Sequence, residues 1–105
     1  MLELNKENFK AEIEDHKGVA MVDFWASWCG PCQMATPIME KVSQEMTGKA
    51  KFAKLNVDDN QELASRFGVM SIPTFVFFKD GQEVDRQIGL QGEEEIKANI
   101  EKLLE

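Results

Sequence analysis

Val19-Ala20-Met21-Val22-Asp23-Phe24-Trp25-Ala26-Ser27-Trp28-Cys29-Gly30-Pro31-Cys32 is the stretch that decides how this chain folds. Its first eight residues, Val19 to Ala26, are apolar except for one acid, Asp23. Such a run fits a central strand buried on both faces. Pro31 then suits the first position of a helix, where a missing amide costs nothing and φ is already set. The spacing predicts a helix from about Pro31 or Cys32 to Met46, with Ala35, Ile38, Val42 and Met46 on its apolar face and Thr47-Gly48 ending it. Pro37 lies within this pattern and removes the amide that would bond the Gln33 carbonyl.

Outward from this unit the two periodicities alternate. Upstream, Leu2 to Leu4 reads as a short strand, followed by a helix with Phe9 and Ile13 at i and i+4, Asn5 as its cap and Lys17-Gly18 as its end. Downstream, Phe52 to Val57 is a third strand. Asp58-Asp59-Asn60 supplies turn and cap residues, and Leu63, Ala64 and Phe67 mark a short helix before Gly68. Thr74 to Phe78 is strongly strand-like, and Asp80-Gly81 signals a hairpin into Glu83 to Ile88. A last helix places Ile96, Ile100, Leu103 and Leu104 on one face. The chain reads as α/β, parallel where helices cross over and antiparallel where a tight turn connects.

At 105 residues and 43% hydrophobic, the chain is long enough for one domain, residues 1–105, with a core of its own. Twelve basic against nineteen acidic residues give a net charge of -7. That balance argues against a nucleic-acid or anionic-membrane surface and for a monomer. Met1 to Glu7 has neither the cationic start nor the apolar core of a signal peptide, so a cytoplasmic location is expected. The aromatic and Met positions read as core, and no convergent polar groups mark a cofactor pocket.

Cys29 and Cys32 are the only cysteines. As a staple, a ring of four residues contributes about 2 kcal/mol, against about 4.7 for a 100-residue loop. As a zinc site the pair lacks ligands, because His16 is the only histidine and structural zinc takes four. A dithiol two residues apart beside a βαβ pattern reads instead as a redox pair. Cys29 precedes the helix, where free amides and the macrodipole favour a thiolate. It is assigned as nucleophile, and Cys32, inside the first turn and more shielded, as the resolving thiol. Trp28, Gly30 and Pro31 form the turn around them.

Asp23 in an apolar strand must be paired, protonated or functional. Lys54 interrupts the third strand in the same way, and a parallel pairing of the two strands brings the two residues together beneath the dithiol. An ion pair is the bland reading, and a proton-transfer Asp23 modulated by Lys54 the functional one. In Ser71-Ile72-Pro73-Thr74 a proline enters what reads as an interior strand. It marks either a simple strand start or an edge at which Ile72 meets an extended peptide, with the Ile72–Pro73 bond a candidate for cis.

Taken together, Asp23-Phe24-Trp25-Ala26, Trp28-Cys29-Gly30-Pro31-Cys32, Pro37, Lys54-Leu55-Asn56-Val57-Asp58, Ile72-Pro73-Thr74, Phe78-Lys79-Asp80-Gly81 and Gly89 resemble the thioredoxin family over nearly the whole chain. The resemblance implies a thioredoxin fold with a mixed five-stranded sheet flanked by four helices. It implies a protein-disulfide reductase and electron carrier without a cofactor or metal of its own, a cis bond before Pro73, and recharging by a thioredoxin reductase. It also implies that Trp28, Ile72, Pro73, Ile88 and Gly89 meet disulfide-containing client proteins. Gln33 stands where many members carry lysine. An oxidase or isomerase of the same fold is disfavoured by Gly30-Pro31 without a histidine between the cysteines. A scaffold that never cycles its thiols would survive replacement of both by serine.

Overall fold

The central strand of the opening stretch is where the sequence places it. In the computed structural model, which describes residues 1–105, β2 spans Val19–Trp25 and occupies the middle of a five-stranded sheet ordered β1-β3-β2-β4-β5. Its neighbours are β3 (Lys51–Asn56), paired parallel, and β4 (Thr74–Lys79), paired antiparallel. The edges are β1 (Leu2–Glu3), parallel to β3, and β5 (Gln82–Ile88), antiparallel to β4. The helical elements are a π-helical segment Lys10–Glu14, α1 (Gly30–Glu45), α2 (Gln61–Arg66) and α3 (Glu93–Leu104). The thioredoxin fold expected from the resemblance is the fold observed, with five strands in a mixed sheet and four helical segments. No helix is long and apolar enough to cross a membrane.

Alternation along β2 divides the core. Ala20, Val22 and Phe24 pack with Leu4, Phe9, Ile13, Leu63 and Phe78 on the face covered by the π-helical segment and α2. Val19 and Met21 pack with Ala35, Met39, Val42, Phe77, Ile96 and Ile100 on the face covered by α1 and α3. The period of two therefore turns Asp23 and Trp25 towards α1 as well. Asp23 is level with Lys54 of β3 and Phe75 of β4.

Several local expectations need correction. The first helix has a π register, since the Asp15 amide bonds the Lys10 carbonyl; Asn5 does cap it, its Oδ1 accepting from the amides of Glu7 and Asn8. Asn60 makes no side-chain cap for α2 and donates back to the Asn56 carbonyl instead. On α1 the fully buried residue is Met39, with Ile38 only partly covered. Leu104, in the last residue of α3, stays 42% exposed. The Asp80-Gly81 turn has φ of 52° and 85°, the two positive values that suit a two-residue hairpin. Gly81 also lies so close to the Glu14 backbone that a β-carbon would collide with it.

Candidate active site

Register brings the site together. β2 ends at Trp25, and Ala26 to Cys29 turns the chain into α1, with the Cys29 amide donating to the Ala26 carbonyl at 3.2 Å. Thr74 is level with Phe24, so in this antiparallel pair Ile72-Pro73 continues alongside the turn. The Ile72 carbonyl oxygen lies 3.8 Å from Cys29 Sγ. Thr74 is also level with Ile88 on its other side, which carries Gly89 to Pro73; the Gly89 amide donates to the Pro73 carbonyl at 2.8 Å. Gly89 has φ of 88°, and the Ile72–Pro73 bond is cis.

Cys29 and Cys32 are joined by a disulfide, with their Cα atoms 5.2 Å apart. Their exposures, 4% and 2%, separate them little. Hydrogen bonding separates them more. Cys29 is the N-cap of α1, and its Sγ accepts from the Cys32 amide at 3.1 Å. That is the place in a helix where negative charge on sulfur is best held. No acid occupies the first turn of α1, whereas Glu93, Glu94 and Glu95 crowd the first turn of α3. The field at the start of α1 is left to the sulfur.

Around the disulfide, Trp28 is 70% and Ile88 61% exposed, large apolar side chains held in water beside a reactive bond. The Trp28 indole is nevertheless fixed, its Nε1–H donating to Asp58 Oδ2 at 2.8 Å. Pro73 differs from the expected flat surface in being buried, so what it offers there is backbone. Two contacts escaped sequence reasoning. Gln33 Nε2–H donates to the Ser27 carbonyl, bracing the turn before Cys29, and the Thr36 hydroxyl donates to the Cys32 carbonyl. The acceptor for Trp28 could have been sought among Asp58 and Asp59, but nothing in the pattern selects one.

Asp23 is 4% exposed. The ion pair with Lys54 does not form, although the two are directly level. Lys54 Nζ lies 3.7 Å from Glu3 Oε1 and 5.0 Å from the centroid of the Trp25 ring. Burial pushes the Asp23 carboxyl up to about 7, against the downward pull of the Lys54 charge. Asp23 Oδ1 has no protein partner. A carboxyl that titrates near neutrality can both take and give a proton under ordinary conditions.

A mixed α/β sheet that presents a two-residue-spaced disulfide at the start of the helix after its central strand defines a thiol–disulfide oxidoreductase. The sequence pattern of one such family, thioredoxin, matches residues 1–102. A thioredoxin of Staphylococcus saprophyticus is 45% identical over 104 residues, 99% of this chain and 98% of its own. One of Bacillus subtilis is 45% identical over 98 residues, 93% and 92% of the two chains. The chain belongs to the thioredoxin family.

Proposed function

We propose that this oxidoreductase works as a protein-disulfide reductase through two successive exchanges, with Cys29 as nucleophile and Cys32 as resolving thiol. The Cys29 thiolate attacks one sulfur of a client disulfide; a Cys29–client bond forms, and the other client sulfur leaves with the electron pair and takes a proton. Cys32 then gives its proton to Asp23 and attacks Cys29 Sγ. The internal disulfide closes, the second client sulfur leaves as a thiol, and two electrons have passed to the client. Lys54 tunes Asp23 through its charge.

The observation that carries the order of attack is the Cys32 amide donating to Cys29 Sγ at the helix N-cap, because the thiolate attacks and this position stabilises it. Clients dock on Trp28, Ile72, Ile88 and the backbone of Pro73 and Gly89, a reading supported by the exposed indole and Ile88 beside the disulfide. A thioredoxin reductase returns the two electrons. Residues 1–105 act as one domain, consistent with a single sheet that draws strands from Leu2 to Ile88. The charge of -7 favours a monomer, and a pair that must return to the dithiol suits the reducing cytosol.

Cysteine variants test the assignment. Cys32→Ser is expected to accumulate client proteins as mixed disulfides through Cys29, and Cys29→Ser to accumulate almost none. Equal accumulation by the two would overturn the order.

A further inference from the structure

Beneath the disulfide, a cavity of about 190 Å³ is lined by Met1, Asp23, Trp25, Gln33, Thr36, Glu40 and Lys54. Two of its lining groups are buried polar atoms that no protein group satisfies: Asp23 Oδ1, an acceptor, and Trp25 Nε1–H, a donor. Orphans of opposite kind on one wall are what a bridging water joins, since it can accept from the indole while donating to the carboxylate. The space is ample for one or more waters, and Lys54 and Glu40 supply further polar contacts. A buried carboxyl oxygen and indole N–H left bare would each cost about 1–3 kcal/mol.

The cavity also faces away from the proposed docking surface. It belongs to the side of β2 occupied by β3 and β1, with α1 as its roof, whereas Ile72, Pro73, Ile88 and Gly89 are on the side of β4 and β5. The docking residues and the cavity lining have no member in common. Thr36, which bonds the Cys32 carbonyl, puts the first turns of α1 on the cavity wall.

We propose that this cavity is a hydration site in which Trp25, through a water, orients and stabilises the Asp23 carboxylate, and that it is the route by which Asp23 exchanges its proton with solvent while a client covers the disulfide. Trp25 is thereby a positioning residue. The inference rests on the reading of Asp23 as the proton-transfer group. The charged groups around Asp23 are Lys54 from β3, Glu3 of β1 acting through Lys54, and Glu40 from α1, while β4 offers only Phe75.

The test follows the Asp23 Cγ chemical shift against pH in the oxidised protein. Trp25→Phe removes the N–H and keeps an aromatic ring, so the carboxylate loses support and its midpoint is expected to rise by about half a unit or more. Thr36→Leu, which fills the cavity from an exposed helix position, is expected to move it in the same direction by displacing water. The Trp25 Hε1 proton of the wild type is expected to show a cross-relaxation peak to water. It is also expected to exchange with D₂O at the same rate in the free protein and in the client complex trapped by Cys32→Ser. Unchanged midpoints in both folded variants would overturn the hydration site. Tenfold protection of Hε1 in the trapped complex would overturn the route. A different result separates this inference from the reading beneath it: if Asp23→Asn resolves the mixed disulfide at the wild-type rate, the proton-transfer role falls while the titration shifts stand.

Discussion

The two halves of the sheet meet at β2 and are built for different work. In the parallel half, β2 and β3 place Asp23 level with Lys54 and leave a polar cavity between the sheet and α1. In the antiparallel half, β4 is buried from Thr74 to Phe78, and its two ends carry special backbone: the Ile72–Pro73 bond at one, the Asp80-Gly81 turn at the other. Titration belongs to the first half, and shape to the second. The disulfide follows the one strand they share, within reach of both. A strand in the parallel half can hold a charge because a cavity gives it water. β4, with apolar neighbours on both faces, has no such space.

Replacing Asp23 by Asn breaks this contrast most severely. Its carboxyl, near 3.8 when unfolded, is raised to about 7 in the fold, so the folded state holds the proton more tightly. Stability is therefore greatest below pH 4 and falls as pH rises through 7. The whole shift corresponds to roughly 4 kcal/mol at 1.36 kcal/mol per unit. Asp23→Asn is expected to flatten that slope, raising stability at pH 8 by up to about 4 kcal/mol and changing it little at pH 4, as read by urea denaturation at both values. An equal effect at the two pH values would mean that Asp23 is not held protonated.

The antiparallel half is tested by Gly81→Ala. The new methyl meets a positive φ and the Glu14 backbone together, and about 2 kcal/mol of stability is expected to be lost at every pH. Client reduction by the protein that remains folded is expected to be unchanged, and a pH-dependent loss would show that the halves are coupled. Lys54→Met has the smallest effect. Removing a cation that lowers the Asp23 carboxyl is expected to raise its midpoint by about half a unit, or roughly 0.7 kcal/mol, since the lysine is partly solvated and also faces Glu3. A midpoint that falls would reverse the sign assigned to that charge.

Much of this arrangement was legible before any coordinates. The apolar run of β2, the hairpin dipeptide and the crossover helices dictate the mixed sheet, and two ionisable residues interrupting adjacent strands announce that they are level. Ile88 and Gly89 came from family resemblance, because β5 is an exposed edge with no apolar pattern to mark its end. Spacing alone allowed either Ile38 or Met39 on the buried line of α1, since both i+3 and i+4 from Ala35 satisfy a helical period. The π register depends on one hydrogen bond that no residue type specifies. The pairing of Asp23 with Lys54 failed for a reason of reach. Adjacent register fixes where two side chains begin, while Glu3 and the Trp25 ring decide where the lysine ends. The unsatisfied Trp25 N–H was invisible too, because an indole in a strand reads as apolar whichever way its nitrogen points.

The bond from Trp28 to Asp58 has a consequence for how the protein can serve many partners. A side chain 70% exposed would ordinarily sample several rotamers, and a partner that froze it would lose roughly 0.5–1.5 kcal/mol of affinity in doing so. Here a 2.8 Å bond from the far edge of the ring has removed that freedom in the unbound molecule. The indole is a rigid platform with a wet face. Its orientation is the same for every arriving chain, so discrimination among them is left to what the visitor brings.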